Sequence, residues 1–211
     1  MLLQQASECD DSCHRKPNRE ISHSRLSWKD TGGKGQSVII TIGGPPGSGK
    51  STAAERLSRR LGVRLVCAGQ MFREMARERN LSLAEFGRLA EKEWDIDREL
   101  DKRVLAEAQG DVIVEGRLSG PLLALKGIDA FRVYLDAEPE IRAARTADRE
   151  RKHLPEALKE IQERERSETQ RYRDIYGVDI WDTTMYDLVI DSSAMTPDEV
   201  LDRIVQGLDR H

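Results

Sequence analysis

The sequence is poor in aromatic residues and in cysteine, and it has no long apolar run. Aromatic residues make up 5% of its 211 residues, and there are three cysteines. Three cysteines cannot form a framework of disulfides, so we expect a chain kept reduced in the cytoplasm. No stretch approaches the roughly 20 apolar residues that a membrane-spanning helix needs, which argues against a membrane protein.

Charge is abundant, but its two signs nearly balance. Charged residues make up 34% of the chain and hydrophobic residues 38%, and the net charge is −4. The apolar content is enough for one core beneath a heavily charged surface. A slightly acidic balance is unfavourable for a general nucleic-acid binder, so we expect no nucleic-acid partner.

One short segment predicts a phosphate-binding loop of the pattern G-x-x-x-x-G-K-[ST]. It follows an apolar run, 38–42, and precedes a helix-type stretch that ends near Leu61. Glycines let backbone N–H groups approach phosphate oxygens, and the helix start adds its positive dipole end. Lys50 is expected to reach the β- and γ-phosphates, and the Ser51 hydroxyl to ligate Mg²⁺. The predicted ATP-binding residues are Gly44, Pro45, Pro46, Gly47, Ser48, Gly49, Lys50, Ser51 and Thr52.

The first 36 residues differ from the rest of the chain. They are rich in Ser, Asp, Lys, Arg and Gly and lack apolar periodicity, which predicts a disordered tail over 1–36. Cys9, Cys13, His14 and His23 resemble part of a zinc site, but no second close pair of ligands completes it. Zinc is therefore the less favoured interpretation.

Residues 37–211 alternate short apolar runs with amphipathic stretches, which indicates a single α/β domain. Strands are predicted at 38–42, 64–67, 111–115, 130–135 and 187–191. Helices are predicted at 50–61, 69–79, 82–93, 95–109, 118–125, 138–152, 155–176 and 197–208. Near-continuous apolar strands are typical of a parallel sheet buried on both faces. We therefore expect a five-stranded parallel sheet flanked by helices, the three-layer fold of P-loop kinases.

Motifs outside the loop separate the kinds of NTPase. The guanine-reading N-K-x-D of GTPase switches is missing, and so is the D-E pair that follows a strand in many ATP-driven motors. The chain instead carries arginines where a second phosphate would need binding. This favours a small-molecule kinase.

Two of these arginines follow predicted strands. The first lies in segment 67–73, which joins the second predicted strand to a helix. Phe72 and Arg73 are at the start of this helix, where an aromatic ring could stack on a base and a guanidinium could bind a phosphate. In the second segment, an apolar strand ends in Glu115-Gly116-Arg117. Glu115 resembles the Mg²⁺-supporting carboxylate found beside P-loops. Arg117 emerges at the carboxyl end of a strand, where ligands bind in open α/β sheets.

A third set of arginines lies on the long charged segment 142–173. Arg145 and Arg149 share a helix face, and so do Arg164 and Arg171. Such helices are often solvated surfaces, for which Glu160, Glu163, Glu165 and Glu168 would supply exposed partners. If the P-loop is catalytic, however, some of these arginines are expected around the transferred phosphoryl group. The predicted catalytic residues are Lys50, Arg145, Arg149, Arg164 and Arg171.

Taken together, the motifs resemble those of nucleoside monophosphate (NMP) kinases, and most closely the archaeal cytidylate kinases. The likeness covers about residues 38–208. It depends on G-G-P-P-G-S-G-K-S-T, C-A-G-Q-M-F-R, A-E-K-E-W-D-I-D-R-E-L-D, V-E-G-R-L-S-G, R-Y-R-D-I-Y-G-V-D-I and Y-D-L-V-I-D-S-S.

The resemblance implies roles for the matching positions. Arg73 and Arg117 would bind the acceptor nucleotide, within an acceptor-binding region at about 68–110. The other four arginines would belong to a lid at about 145–173, with Arg145 and Arg149 at its entrance and Arg164 and Arg171 around the transferred group.

The implied reaction is phosphoryl transfer from ATP to CMP, and also to dCMP if the acceptor site tolerates the missing hydroxyl group. Mg²⁺ is the implied cofactor, and we expect the protein to act as a monomer. Two alternatives stay open. One is a P-loop kinase for another acceptor, such as AMP, UMP or a small metabolite. The other is a nucleotide-dependent ATPase or switch without a small-molecule acceptor.

Overall fold

The computed structural model describes residues 37–211, so the predictions of a disordered tail and of a disfavoured zinc site lie outside the described residues. The described chain forms a sheet of five strands. They are β1 (Ile39–Gly43), β2 (Arg64–Cys67), β3 (Val112–Glu115), β4 (Phe131–Asp136) and β5 (Leu188–Asp191). Each predicted strand is confirmed to within one residue at either end.

All neighbouring strands are parallel, in the order β2-β3-β1-β4-β5, which confirms the predicted sheet. The register aligns the carboxyl ends of the inner strands. Ile42 of β1 and Cys67 of β2 are both opposite Glu115 of β3, and Gly43 is opposite Tyr134 of β4. Side chains that follow these strands therefore gather at one edge of the sheet.

Eight helices connect and cover the strands between residues 37 and 211. They are α1 (Lys50–Leu61), α2 (Ala68–Glu78), α3 (Leu83–Ala90), α4 (Asp95–Glu107), α5 (Ser119–Leu125), α6 (Pro139–Glu150), α7 (Leu154–Tyr176) and α8 (Pro197–Leu208). No helix of this described part is both long and apolar enough to cross a membrane.

The helix prediction was too long at α3, which ends at Ala90 and not near residue 93. The chain turns there, with the N–H groups of both Lys92 and Glu93 bonded to the carbonyl of Leu89. This turn lets Phe86 and Ile96, on successive helices, enter the same core, where both are almost fully buried. The sequence pattern of residues 82–93 is that of a continuous helix, so the end of α3 at Ala90 is decided by tertiary packing.

The core anchors the α2–α4 segment to one half of the sheet. Val66, Val112 and Val114 on β2 and β3 form one buried cluster with Met75 and Phe86 on α2 and α3. Because this cluster is continuous with the sheet, α2–α4 are held beside the carboxyl ends of β2 and β3.

The start of α8 follows the predicted capping box. The Thr196 hydroxyl accepts from the Glu199 backbone N–H at 3.3 Å, and the Glu199 carboxylate accepts from the Thr196 N–H at 2.7 Å. Pro197 occupies the first turn, where its missing N–H costs no hydrogen bond. Local sequence alone thus specifies this helix terminus.

Thr196→Ala should lower the free energy of unfolding by about 1 kcal/mol, because one backbone donor of α8 loses its acceptor. Urea denaturation monitored by circular dichroism measures this change. Thr196→Ser keeps the hydroxyl and is the control, with near wild-type stability expected. Equal loss in both variants would mean that the methyl group, and not the cap, stabilises this terminus.

Candidate active site

The predicted phosphate-binding loop has the conformation that the motif requires. Gly44, Gly47 and Gly49 all have positive φ, at 134°, 80° and 93°. Gly49 is the N-cap of α1, and within the described chain the start of this helix has neither a side-chain cap nor an acidic residue in its first turn. Its N–H groups and its positive dipole end are therefore available to an anion.

Two glycines of the loop allow close packing against neighbouring backbone. A Cβ on Gly44 would lie 2.0 Å from the carbonyl oxygen of Leu135, and one on Gly47 would lie 2.5 Å from that of Arg142. Any side chain at either position would have to displace main-chain atoms of β4 or α6. The loop therefore packs closely against the end of β4 on one side and the first turn of α6 on the other.

Lys50 lies across its own loop. Its Nζ donates to the Pro45 carbonyl at 2.7 Å. Burial lowers the pKa of Lys50 to about 8, with the Glu115 carboxylate acting in the opposite direction and the charges of Arg117 and Arg164 adding to the lowering. Glu168 also acts to raise this pKa, so Lys50 lies close to two carboxylates and two guanidinium groups that come from distant parts of the sequence.

Arg142, which the sequence did not single out, joins this loop to α7. Its Nε donates to the Ala137 carbonyl at 2.8 Å, and its Nη1 donates to the Pro46 carbonyl at 3.2 Å. The same nitrogen makes an ion pair with Glu165 of α7. Both side chains are largely buried, so Glu165 is not the exposed partner that the alternative interpretation of the charge pattern would require.

Glu115 lies buried at the end of β3, beside the loop. Its Oε2 accepts from the Cys67 thiol at 2.9 Å. Burial and the nearby Glu115 raise the pKa of Cys67 to about 12, and the charge of Arg73 opposes them. Arg73 itself is exposed, but this effect places its guanidinium near the ends of β2 and β3.

Arg117 is the most unusual group of the site. The residue is only 8% exposed. None of its three guanidinium nitrogens makes a well-aligned hydrogen bond to any residue between 37 and 211, although the Tyr134 hydroxyl lies close enough to interact with the group. Its charge is opposed by Glu168, whose Oε2 lies 3.4 Å from Nε. A buried cation that lacks hydrogen bonds is costly, so this group is suited to an anionic ligand.

Glu168 lies between Arg164 of α7 and Arg117, which follows β3. Burial acts to raise the pKa of this carboxylate, but the charges of Arg164 and Arg117 outweigh it and hold the pKa below its usual value. Arg164 Nε donates to Glu168 Oε1 at 2.7 Å. Glu168 is 5% exposed, which rules out for this residue the alternative interpretation of a solvated surface.

The second arginine of this helix face, Arg171, binds a different carboxylate. Its Nε donates to Asp97 Oδ2 of α4 at 2.8 Å, and its Nη1 donates to the Ser167 hydroxyl at 2.6 Å. Arg171 and Asp97 are both buried. Arg171 therefore joins α7 to the α2–α4 segment.

The two arginines of α6 have different surroundings. Arg145 donates to the hydroxyl of Ser192 at 2.9 Å and to its carbonyl at 2.6 Å. Ser192 in turn donates to the carbonyl of Ser48, at 3.0 Å, in the phosphate loop. Arg149 is exposed and pairs with Glu150 at the end of α6, apart from the buried cluster.

Phe72 packs into the protein. Its ring centroid lies 4.7 Å from that of Phe86, at a tilt of 49°, and the side chain contacts the core cluster. Only part of its surface remains accessible. Stacking of this ring on a base stays a prediction.

The sequence contains one signal that Glu168 is buried. Along α7 the spacing of Ala157, Ile161, Glu168 and Tyr172 follows one helix face, and all four are buried. A carboxylate at a position of this apolar stripe is unusual and needs a partner. No such sequence pattern indicates the role of Arg142. Its partners, Pro46 and Glu165, are distant in the sequence and come close to it only in the folded protein.

The arrangement can therefore bind two phosphate groups at one edge of the sheet, one in the loop and one at Arg117. Residues 39–194 match the cytidylate kinase-like family. The chain belongs to that family.

Individual archaeal members of the cytidylate kinase-like family are similar over most of this chain. A cytidylate kinase of Methanopyrus kandleri is 48% identical over 181 residues, covering 82% of this chain and 94% of the relative. One of Methanocaldococcus jannaschii is 42% identical over 174 residues, covering 82% and 98%. One of Halobacterium salinarum is 42% identical over 176 residues, covering 82% and 91%.

Solved structures share the fold of this cytidylate kinase-like chain at lower identity. A shikimate kinase of Bacteroides thetaiotaomicron is 16% identical, with a TM-score of 0.54 and coverage of 82% of this chain and 99% of that one. A shikimate kinase of Acinetobacter baumannii in complex with shikimate is 18% identical, with a TM-score of 0.53 and coverage of 83% and 94%. These likenesses confirm the predicted P-loop kinase fold.

Beside the site, Asp101 on α4 links protonation to stability. It accepts a hydrogen bond from the Tyr176 hydroxyl. Burial raises the pKa of Asp101 to about 6, and the neighbouring Asp97 adds to this, while Tyr176 and Lys126 oppose it. Because the folded pKa exceeds the unfolded one, the protonated carboxyl stabilises the fold at low pH, and this contribution is lost as the pH rises through about 6.

Asp101→Asn removes this titration, so the two proteins should differ in their pH dependence. Relative to the variant, the wild type should lose up to about 3 kcal/mol of unfolding free energy between about pH 4 and pH 7, since one pKa unit corresponds to about 1.4 kcal/mol. Urea denaturation of both proteins across this range measures the difference. Parallel stability profiles would show that Asp101 has an ordinary pKa.

Proposed function

We propose that this protein transfers the γ-phosphoryl group of ATP to CMP. Membership of the cytidylate kinase-like family supports this activity, and one structural observation carries it to particular residues. The buried Arg117 guanidinium makes no well-aligned hydrogen bond within residues 37–211. It lies close enough to Lys50 of the phosphate loop for its charge to lower the pKa of that lysine. A phosphate of the acceptor held by Arg117 would lie beside the γ-phosphate of ATP.

Catalysis in this arrangement is positioning together with charge stabilisation. The phosphate oxygen of CMP is already anionic at neutral pH, so it attacks without a strong general base. Lys50 and Arg164 stabilise negative charge on the transferred group, and the loop N–H groups hold the β-phosphate. The attacking and leaving oxygens lie in line, so the phosphoryl group moves directly between the two nucleotides.

Ser51 and Glu115 are the residues proposed to hold Mg²⁺. Their hydroxyl and carboxylate oxygens are the hard donors that this ion prefers. The described part of the chain has no group of three or more His, Cys, Asp or Glu side chains placed around a metal. This fits an ion whose other ligands are phosphate oxygens and water. When bound, Mg²⁺ neutralises charge on the β- and γ-phosphates.

Two segments that follow the loop in the sequence have separate roles in this proposal. Residues 68–110, which include α2–α4, bind the acceptor, with Arg73 at its phosphate and Phe72 at the edge of the base. Residues 145–173 form a lid that excludes water, which prevents wasteful ATP hydrolysis. Arg145 and Arg149 are at the entrance of this lid, one beside adenine and one beside phosphate, and Arg171 joins Arg164 around the transferred group.

The base preference and the assembly state complete the proposal. CMP is the main acceptor, dCMP is also accepted, and the protein acts as a monomer in the cytoplasm without nucleic acid or membrane. Cytosine differs from uracil by an amino group in place of a carbonyl, and a buried polar site for that group would discriminate strongly.

Formation of ADP from MgATP should rise strongly with CMP, to a lesser extent with dCMP, and weakly with UMP, AMP or GMP. A coupled assay with each nucleotide supplied alone measures these rates. Equal stimulation by CMP and AMP would contradict the choice of acceptor. ATP turnover that is independent of every NMP would favour an ATPase or switch in place of a kinase.

Lys50→Ala should lower kcat by at least about 100-fold, because one cation next to the transferred phosphoryl group is lost. Steady-state kinetics with CMP measures the change, and circular dichroism verifies the fold. Lys126→Ala, which removes an exposed lysine outside the loop, lid and acceptor region, is the matched control and should retain wild-type kcat. Unchanged kcat in Lys50→Ala would mean that the loop is not catalytic.

A further inference from the structure

The buried guanidinium of Arg117 has a neighbour that no motif indicated. Trp181 lies in the segment between α7 and β5, and its ring centroid is 4.4 Å from Arg117 Cζ. This distance is well within the range of a cation–π contact. The indole is 41% exposed, so it covers a buried cation while facing solvent.

The indole of Trp181 is held in place from two sides. Its Nε1 donates to the Thr169 hydroxyl of α7 at 3.1 Å. Its backbone N–H donates to Asp179 Oδ1 at 3.0 Å, which fixes the turn that carries it. A large, partly exposed aromatic side chain would otherwise be free to adopt several rotamers. The Nε1 bond therefore favours the rotamer that lies over Arg117, and the backbone bond fixes the turn from which the side chain extends.

The geometry of a guanidinium group makes this contact compatible with phosphate binding. An aromatic ring uses the flat face of the guanidinium, whereas the N–H donors point outward in its plane. A stacked arginine thus keeps its edge free for two parallel hydrogen bonds to a phosphate. In this protein Nε lies near Glu168, and the remaining nitrogens make no well-aligned hydrogen bond to any of residues 37–211.

We propose that Trp181 is a positioning residue for the acceptor, which stacks on Arg117 and orients the guanidinium edge toward the phosphate of a nucleoside monophosphate. The indole also keeps water from the outer face of the guanidinium, which strengthens the charge–charge interaction with a phosphate dianion. This inference rests on the proposed function, because it requires Arg117 to bind the acceptor phosphate.

Steady-state kinetics of two substitutions at this position tests the role. Trp181→Leu removes the aromatic face and should raise KM for CMP about 2- to 30-fold, the range expected from a cation–π contact of about 0.5–2 kcal/mol. Trp181→Phe keeps a smaller aromatic face and should recover part of this loss. KM for ATP should stay within about twofold of the wild-type value in both. Thr169→Val, which frees the indole, should raise KM for CMP less than Trp181→Leu does.

The outcomes separate this inference from the function on which it rests. A wild-type protein that phosphorylates no NMP would overturn both. An active wild type with unchanged KM for CMP in Trp181→Leu would overturn the Trp181 inference alone. So would equal increases in KM for CMP and for ATP, since these would indicate general damage to the fold around α7.

A fluorescence measurement provides a readout that does not depend on turnover. The double variant Trp28→Phe, Trp94→Phe leaves Trp181 as the only tryptophan of the three in the chain. Titration with CMP in the absence of ATP should change its emission, because a phosphate neutralises the cation against which the ring is stacked. Cytidine, which lacks the phosphate, should produce no such change. An equal response to CMP and cytidine, or no response while calorimetry shows CMP binding, would contradict the proposal.

Discussion

The site depends on a buried positive charge that the protein leaves incompletely paired. Arg117 follows β3 into the interior, where Glu168 is its ionic partner and Trp181 covers its face. Burying a guanidinium without hydrogen bonds costs several kcal/mol, so such an arrangement is unfavourable for the empty protein. In the proposed function a phosphate dianion would supply the missing acceptors, and the unfavourable feature would then become a source of binding energy and of orientation.

Helix α7 connects this charge to both substrate regions. Its Glu165 pairs with Arg142, which also binds the Pro46 carbonyl of the phosphate loop. Its Arg171 pairs with Asp97 of the α2–α4 segment. A movement of α7 would therefore alter contacts on the donor side and on the acceptor side together. This coupling suits an enzyme that must hold two nucleotides before excluding water.

The sequence predicted the fold and the loop well, because these depend on local signals. Continuous apolar strands, the glycine pattern of residues 44–49 and the capping box at Thr196 each have a mechanism that acts within a few residues. The early end of α3 was missed, since its cause is the joint burial of Phe86 and Ile96.

The charged residues were harder to interpret from the sequence. A pattern of alternating signs along α7 is the same whether a carboxylate is solvated or buried between two arginines. The sequence therefore left open a solvated surface with Glu165 and Glu168 as exposed partners, whereas the structure buries them against Arg142 and Arg117. The contact between Arg117 and Trp181 joins residues that are far apart in sequence, and no local signal predicts such a meeting.

The most direct test of this account is a crystal structure with a bisubstrate analogue in which adenosine and cytidine are joined through a chain of phosphates. The account predicts phosphate oxygens within hydrogen-bond distance of Lys50 and the loop N–H groups at one end, and of the Arg117 guanidinium edge at the other, with Trp181 still stacked on its face. A complex in which the cytidine end lies away from Arg117, and the guanidinium still lacks an acceptor, would contradict it.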